Sequence, residues 1–152
     1  MRGSIKRVRR RGPLGCRAVS TYEWLLFLHL LAAFLLVSGL VAYSVLVLSG
    51  AGETVARSLG PPALALWNAG GLGTLVFGVW LALDVDGYEL WDGWIIAALV
   101  LWVIGSGAAG RLGAALREGR SAGRIQGARM MVGVMALATL LLLVDMIFKP
   151  GA

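Results

Sequence analysis

Residues 22–48, YEWLLFLHLLAAFLLVSGLVAYSVLVL, form an almost unbroken apolar run of 27 residues. At about 1.5 Å per residue a helix of that length crosses a ~30 Å hydrocarbon layer with some tilt, so the run reads as a membrane span. Composition agrees. The chain is 59% hydrophobic and only 14% charged, with a mean hydropathy of +0.81, whereas a soluble domain is about a quarter charged. The single Cys16 excludes a disulfide or an all-cysteine cluster within one chain. The net charge of +6 sits mostly in a tail and a loop that flank apolar runs. Attraction to anionic headgroups and orientation in the bilayer account for it, and no nucleic acid partner is expected.

In chain order, residues 1–20 form a basic tail carrying Arg2, Lys6, Arg7, Arg9, Arg10, Arg11 and Arg17 without an acid, a composition expected to stay disordered until it meets a surface. The apolar run after it is too long for a signal-peptide core, so an anchor that is kept is expected. A second reading starts the working protein at Val19, a bacterial GTG start. Residues 21–152 are then one domain with spans at about 22–48, 63–84, 94–110 and 129–148. The second span follows a loop, 49–62, broken by Pro61-Pro62, because proline is tolerated at a helix start. Within that span Gly70, Thr74, Gly78 and Ala82 recur every fourth residue, a small-residue stripe that lets a neighbouring backbone come close. The acidic turn 84–93, with its Asp-Gly pairs, joins spans two and three as a hairpin. Residues 110–128 read as an arginine-rich loop or a frayed interfacial helix, and Lys149-Pro150-Gly151 closes the last span. Trp24, Trp67, Trp91 and Trp94 fall near expected span ends, as an aromatic belt requires.

The expected fold is an all-α membrane protein, an antiparallel up-down bundle of four transmembrane helices. Such a bundle puts Glu23, Asp84, Asp86, Glu89, Asp92 and Asp145 toward one membrane face, and Arg57, Arg111, Arg117, Arg120, Arg124 and Arg129 toward the other. Setting the tail aside, the positive-inside rule puts the arginine loops in the cytoplasm and both termini outside. The seven basic residues of the tail argue the reverse.

The opening YEWLLFLHLLAAF, the segment GGLGTLVFGVWLAL with the following WDGWI turn, and the ending LLLVDMIFKPGA resemble a family of small bacterial integral membrane proteins. That family is itself distantly similar to the membrane domain of the copper-resistance protein CopD and to HemJ-type haem-pathway proteins. The resemblance covers about Tyr22 to Ala152. It implies a four-helix bundle in a bacterial plasma membrane, with no defined activity. It also implies that a first-span histidine serves haem or copper, a role that only His29 can fill here.

His29 is the one histidine, and at 100° per residue it shares a helix face with Leu25, Ala32, Ala33, Leu36, Leu40 and Tyr43. Ionisable groups at membrane depth are costly and usually face the bundle interior. An imidazole there could ligate a metal or haem, or carry protons. The plain alternative is a neutral histidine hydrogen-bonded to a backbone carbonyl, Tyr43 or Asn68. One histidine does not complete a haem or closed metal site, so a second ligand must come from Met146, Asp145 or another subunit. Asp145, near the end of the last span, could accept the imidazole proton or bind a cation, or simply pair with Lys149 four residues on. Asp84 and Asn68 complete the candidate polar set. Asp84, Asp86 and Gly87 lack the closing glutamate of a calcium loop. Met130, Met131 and Met135 read as packing rather than as copper ligands, and no Ser/His/Asp or metalloprotease arrangement is present.

Two function classes follow. One is a membrane protein that binds haem or copper, or relays protons, through His29 with Asp145, Met146, Asn68 and Asp84. The other is a non-catalytic accessory or structural subunit, a homo-oligomer or the partner of another membrane subunit, assembled through small-residue helix stripes. Alternating-access transport fits four short spans without a broken helix or repeat poorly.

Overall fold

The computed structural model describes residues 20–84, 92–118, 120–121 and 124–148. The basic tail, the acidic turn 85–91 with Trp91, and Lys149 lie outside the described residues. Four helices make up the architecture: α1 (Thr21–Leu48), α2 (Glu53–Asp84), α3 (Gly93–Arg117) and α4 (Ala128–Phe148). Each is long and apolar enough to cross a membrane. The expectation of an all-helical chain with four helices long and apolar enough to span holds among the described residues, and the boundaries shift in ways that have local causes.

α1 begins with a capping box. The Ser20 hydroxyl accepts from the Glu23 backbone N–H at 3.2 Å, and the Glu23 carboxylate accepts from the Ser20 N–H at 2.8 Å, which satisfies two of the orphan donors of a helix start. At its other end Gly50 adopts φ +63°, the Gly50 N–H reaches the Val47 carbonyl and the Ala51 N–H reaches that of Leu46. A left-handed residue there ends the helix and reverses the chain at once.

α2 therefore starts at Glu53, ten residues before the expected 63, and Pro61 and Pro62 lie inside it rather than at its head. The expected loop 49–62 shrinks to four residues. Glu53 and Arg57 pair at 2.7 Å one turn apart, Ala56 is fully buried, and a Cβ built on Gly60 would sit 3.1 Å from that of Leu116. Packing holds these first turns helical where the prolines remove two amide donors. The shift also corrects the aromatic belt. Trp67 is only 3% exposed and sits mid-bundle, a Cβ on Gly39 of α1 meeting its backbone at 2.7–2.9 Å and one on Gly105 of α3 meeting its ring at 3.2 Å. α3 likewise runs past the expected 110, because Leu112 and Leu116, one turn apart, are fully buried while Arg111 and Arg117 face outward.

The small-residue stripe of α2 packs on α1 of the same chain. A Cβ on Gly70 would lie 2.6 Å from the Leu36 Cα and 2.8 Å from the Ala32 carbonyl oxygen, and one on Gly73 would lie 2.8 Å from the Ala32 Cβ. Backbone touches backbone along this seam, the close approach that dispersion requires in lipid. Of the α1 face expected to look inward, Leu25, Ala32, Leu36 and Tyr43 are buried, and His29, Ala33 and Leu40 are half-buried. One continuous core joins Leu36, Tyr43 and Val47 to Ala63, Trp67, Leu112, Leu116, Val132 and Met135. Large apolar side chains such as Phe34, 70% exposed, and Ile147, 73% exposed, cover the outside, as expected of a lipid-facing surface.

Two acids at the arginine-bearing face also qualify the expected charge segregation. Glu53 pairs with Arg57, and Glu118 with Arg120 at 3.1 Å, so two of the six arginines there are locally neutralised.

Candidate functional site

His29 lies two turns into α1, on the face that α2 covers. Its ring rests against the bare Cα of Gly78: a Cβ at that position would be 3.0 Å from Cε1 and 3.3 Å from Nδ1. A glycine here is a space requirement, since even a methyl group would press on the imidazole. The Thr74 backbone is within reach as an acceptor for the ring, while Nδ1 is buried and has no hydrogen-bond partner.

The imidazole lines a cavity of about 410 Å³ to which all four helices contribute. Thr74 and Gly78 come from α2, Trp94 and Trp102 from α3, and Met146 from α4; the remaining walls are mainly leucine, alanine and other apolar residues. This size and lining match small-molecule sites, which are apolar with a few placed polar groups. The Thr74 hydroxyl and the Trp102 indole nitrogen are also buried without a partner. The indole passes over Gly71, where a Cβ would be 2.7 Å from Nε1. Buried polar groups are normally paired, and leaving one unmade costs about 1–3 kcal/mol, so three orphans around one void mark a place where a polar partner is wanted.

Of the residues the sequence singled out, the structure brings His29 and Met146 to one cavity. Asp145 is 7% exposed, with Oδ2 lacking a partner, but it is not among the cavity's lining residues. Asn68 is exposed on the outside of α2, away from the ring. Tyr43 is fully buried, with its hydroxyl against α3, where a Cβ on Gly113 would be 2.8 Å from it. Asp84 ends α2, and its side chain lies outside the described part. Among the described residues no group of three or more His, Cys, Asp and Glu could hold a metal ion. Sequence reasoning missed Thr74 and Trp102 as site residues. Thr74 had been visible only as a member of the small-residue stripe, and Trp102 carried no signal beyond its place in an apolar run. No family model, curated protein or solved structure matches the chain.

Proposed function

We propose that this chain is a multi-pass protein of a bacterial plasma membrane that holds haem or copper in the cavity beside His29. The observation that carries this reading is the buried, unpartnered Nδ1 of His29 in a cavity of about 410 Å³ that Met146 also lines. The fit to the donor set is specific. One imidazole and one thioether would suit a haem iron or Cu(I) as ligands, and they do not make a closed zinc site. His29 would be the principal ligand and Met146 the second, the group supplying electron-transfer chemistry when bound. The low-polarity walls would exclude water and tune its potential. Proton relay gains less support, because Asp145 does not line the cavity.

The helices run up and down as an antiparallel bundle in this proposal. Contacts support that: Gly39 meets Trp67, Gly70 meets Leu36 and Gly78 meets His29, one number falling as the other rises, and the α2–α3 contacts Gly60 with Leu116 and Gly71 with Trp102 run the same way. Six arginines lie toward one face, favouring that face as cytoplasmic and the termini as external.

Protein purified from its host membrane is expected to show a Soret band or stoichiometric copper, lost in His29→Ala and weakened in Met146→Ala. Colourless, metal-free protein that is unchanged by His29→Ala would remove the proposal.

A further inference from the structure

The polar side chains buried within the spans mostly answer to their own helix. Ser44 donates to the Leu40 carbonyl and Thr139 to that of Met135, each at 2.8 Å, and the more exposed Ser38 does the same with Phe34. Asn68 is the exception on the outer surface. It is exposed, and its amide makes no hydrogen bond to any described residue. Its level in the bundle can be read from its neighbour Trp67, whose ring lies against Gly105, which in turn lies against Ala138. Gly105 and Ala138 are the central residues of α3 and α4. The carboxamide therefore faces lipid near the bilayer midplane, where no water can satisfy it.

We infer that the outer face of α2 is the interface between two copies of this chain, closed by reciprocal Asn68–Asn68 hydrogen bonds. A carboxamide carries both donors and an acceptor, so across a two-fold axis each NH₂ meets the other's Oδ1 and both are satisfied. The face around it fits that arrangement. Pro61, Ala65, Asn68, Leu72 and Val76 are all exposed and, three or four residues apart, share one face of the helix. Ala65 and the flanking, exposed Ala69 leave room for a second backbone to approach. This surface is distinct from the Gly70-Thr74-Gly78 stripe, which α1 already covers, and it does not depend on what the His29 cavity holds.

The test uses the full chain, labelled at Cys16 with donor or acceptor dye and reconstituted in lipid vesicles over a range of protein-to-lipid ratios. Energy transfer is expected to rise as a monomer–dimer equilibrium. Asn68→Leu should weaken association about 3- to 30-fold, the range of measured interhelical polar contacts, and Asn68→Gln should retain part of it. In a Cys16→Ser background, Leu72→Cys should form a disulfide-linked dimer on oxidation, whereas Val103→Cys on the outside of α3 should not. Absence of energy transfer above random encounter, a dimer indifferent to Asn68→Leu, or cross-linking through Val103 in place of Leu72 would overturn the inference. Should Asn68→Leu accumulate poorly, the Leu72 and Val103 cross-links decide the matter with Asn68 in place.

Discussion

The same four helices close on each other in one half of the bundle and leave a void in the other. Around Tyr43, Leu112, Leu116 and Met135 no side-chain surface remains exposed; around His29 about 410 Å³ stays open. Both halves are built from leucine, alanine, glycine and tryptophan, so apolarity does not explain the difference. Fit does. In the closed half a large side chain lies over a small one, Trp67 over Gly39 and Gly105, Leu116 over Gly60. In the open half large rings also lie over glycines, Trp102 over Gly71 and His29 over Gly78, but the leucines and alanines that complete the wall, among them Leu75, Ala82, Ala98 and Leu142, leave the space between them unfilled. In lipid, where burial itself supplies little drive, packing of this kind decides where a bundle is solid and where it can hold a guest.

That contrast can be broken most sharply in the closed half. Leu112→Ala, at a site with no exposure, is expected to lower unfolding free energy in mixed micelles by about 2–5 kcal/mol. Leu99→Ala, on the cavity wall and 39% exposed, should cost under about 1 kcal/mol. Equal losses would mean that the two halves are packed alike. Next comes the α1–α2 seam, where Gly70→Ala drives a methyl into the α1 backbone and should cost about 1–3 kcal/mol. Gly107→Ala, with nothing within 4 Å of the new Cβ, should be neutral or gain up to about 1 kcal/mol from helix propensity. Gly78→Ala sharpens the comparison from the open side: its methyl meets a ring that can turn, so thermal unfolding should shift little while cofactor content falls. The smallest effect belongs to the surface. Arg57→Gln breaks an exposed pair, and titration with denaturant should register no more than about 0.5 kcal/mol.

Periodicity and length made the four spans legible, and the buried face of α1 followed from the helical angle between Leu25, Ala32, Leu36 and Tyr43. The stripe on α2 was readable as a close-approach surface, though not the identity of its neighbour. Local rules misjudged the head of α2, because two prolines argue for a break unless tertiary contacts hold the turns on either side, and Ala56 and Gly60 supply those contacts. The capping box lay in plain view as Ser20 and Glu23. What the other faces of α2 meet was not readable, since a small-residue stripe marks one close approach and leaves the rest of the helix unassigned. That is why Asn68 was grouped with His29 and lies on the outer surface instead. The cavity was equally hidden: it is a volume between four helices, and no single segment encodes it.

The pair Pro61-Pro62 has a last consequence. With no amide hydrogens at two successive positions, the Arg57 and Ser58 carbonyls lose their usual partners one turn on, and the ladder of α2 is interrupted just below its first two turns. Residues 53–60 are tethered sideways, through Ala56 and Gly60, more than lengthwise. In amide exchange this short cuff should release its deuterium as a unit and well ahead of residues 64–80, making it the first piece of the bundle to open and the last to set.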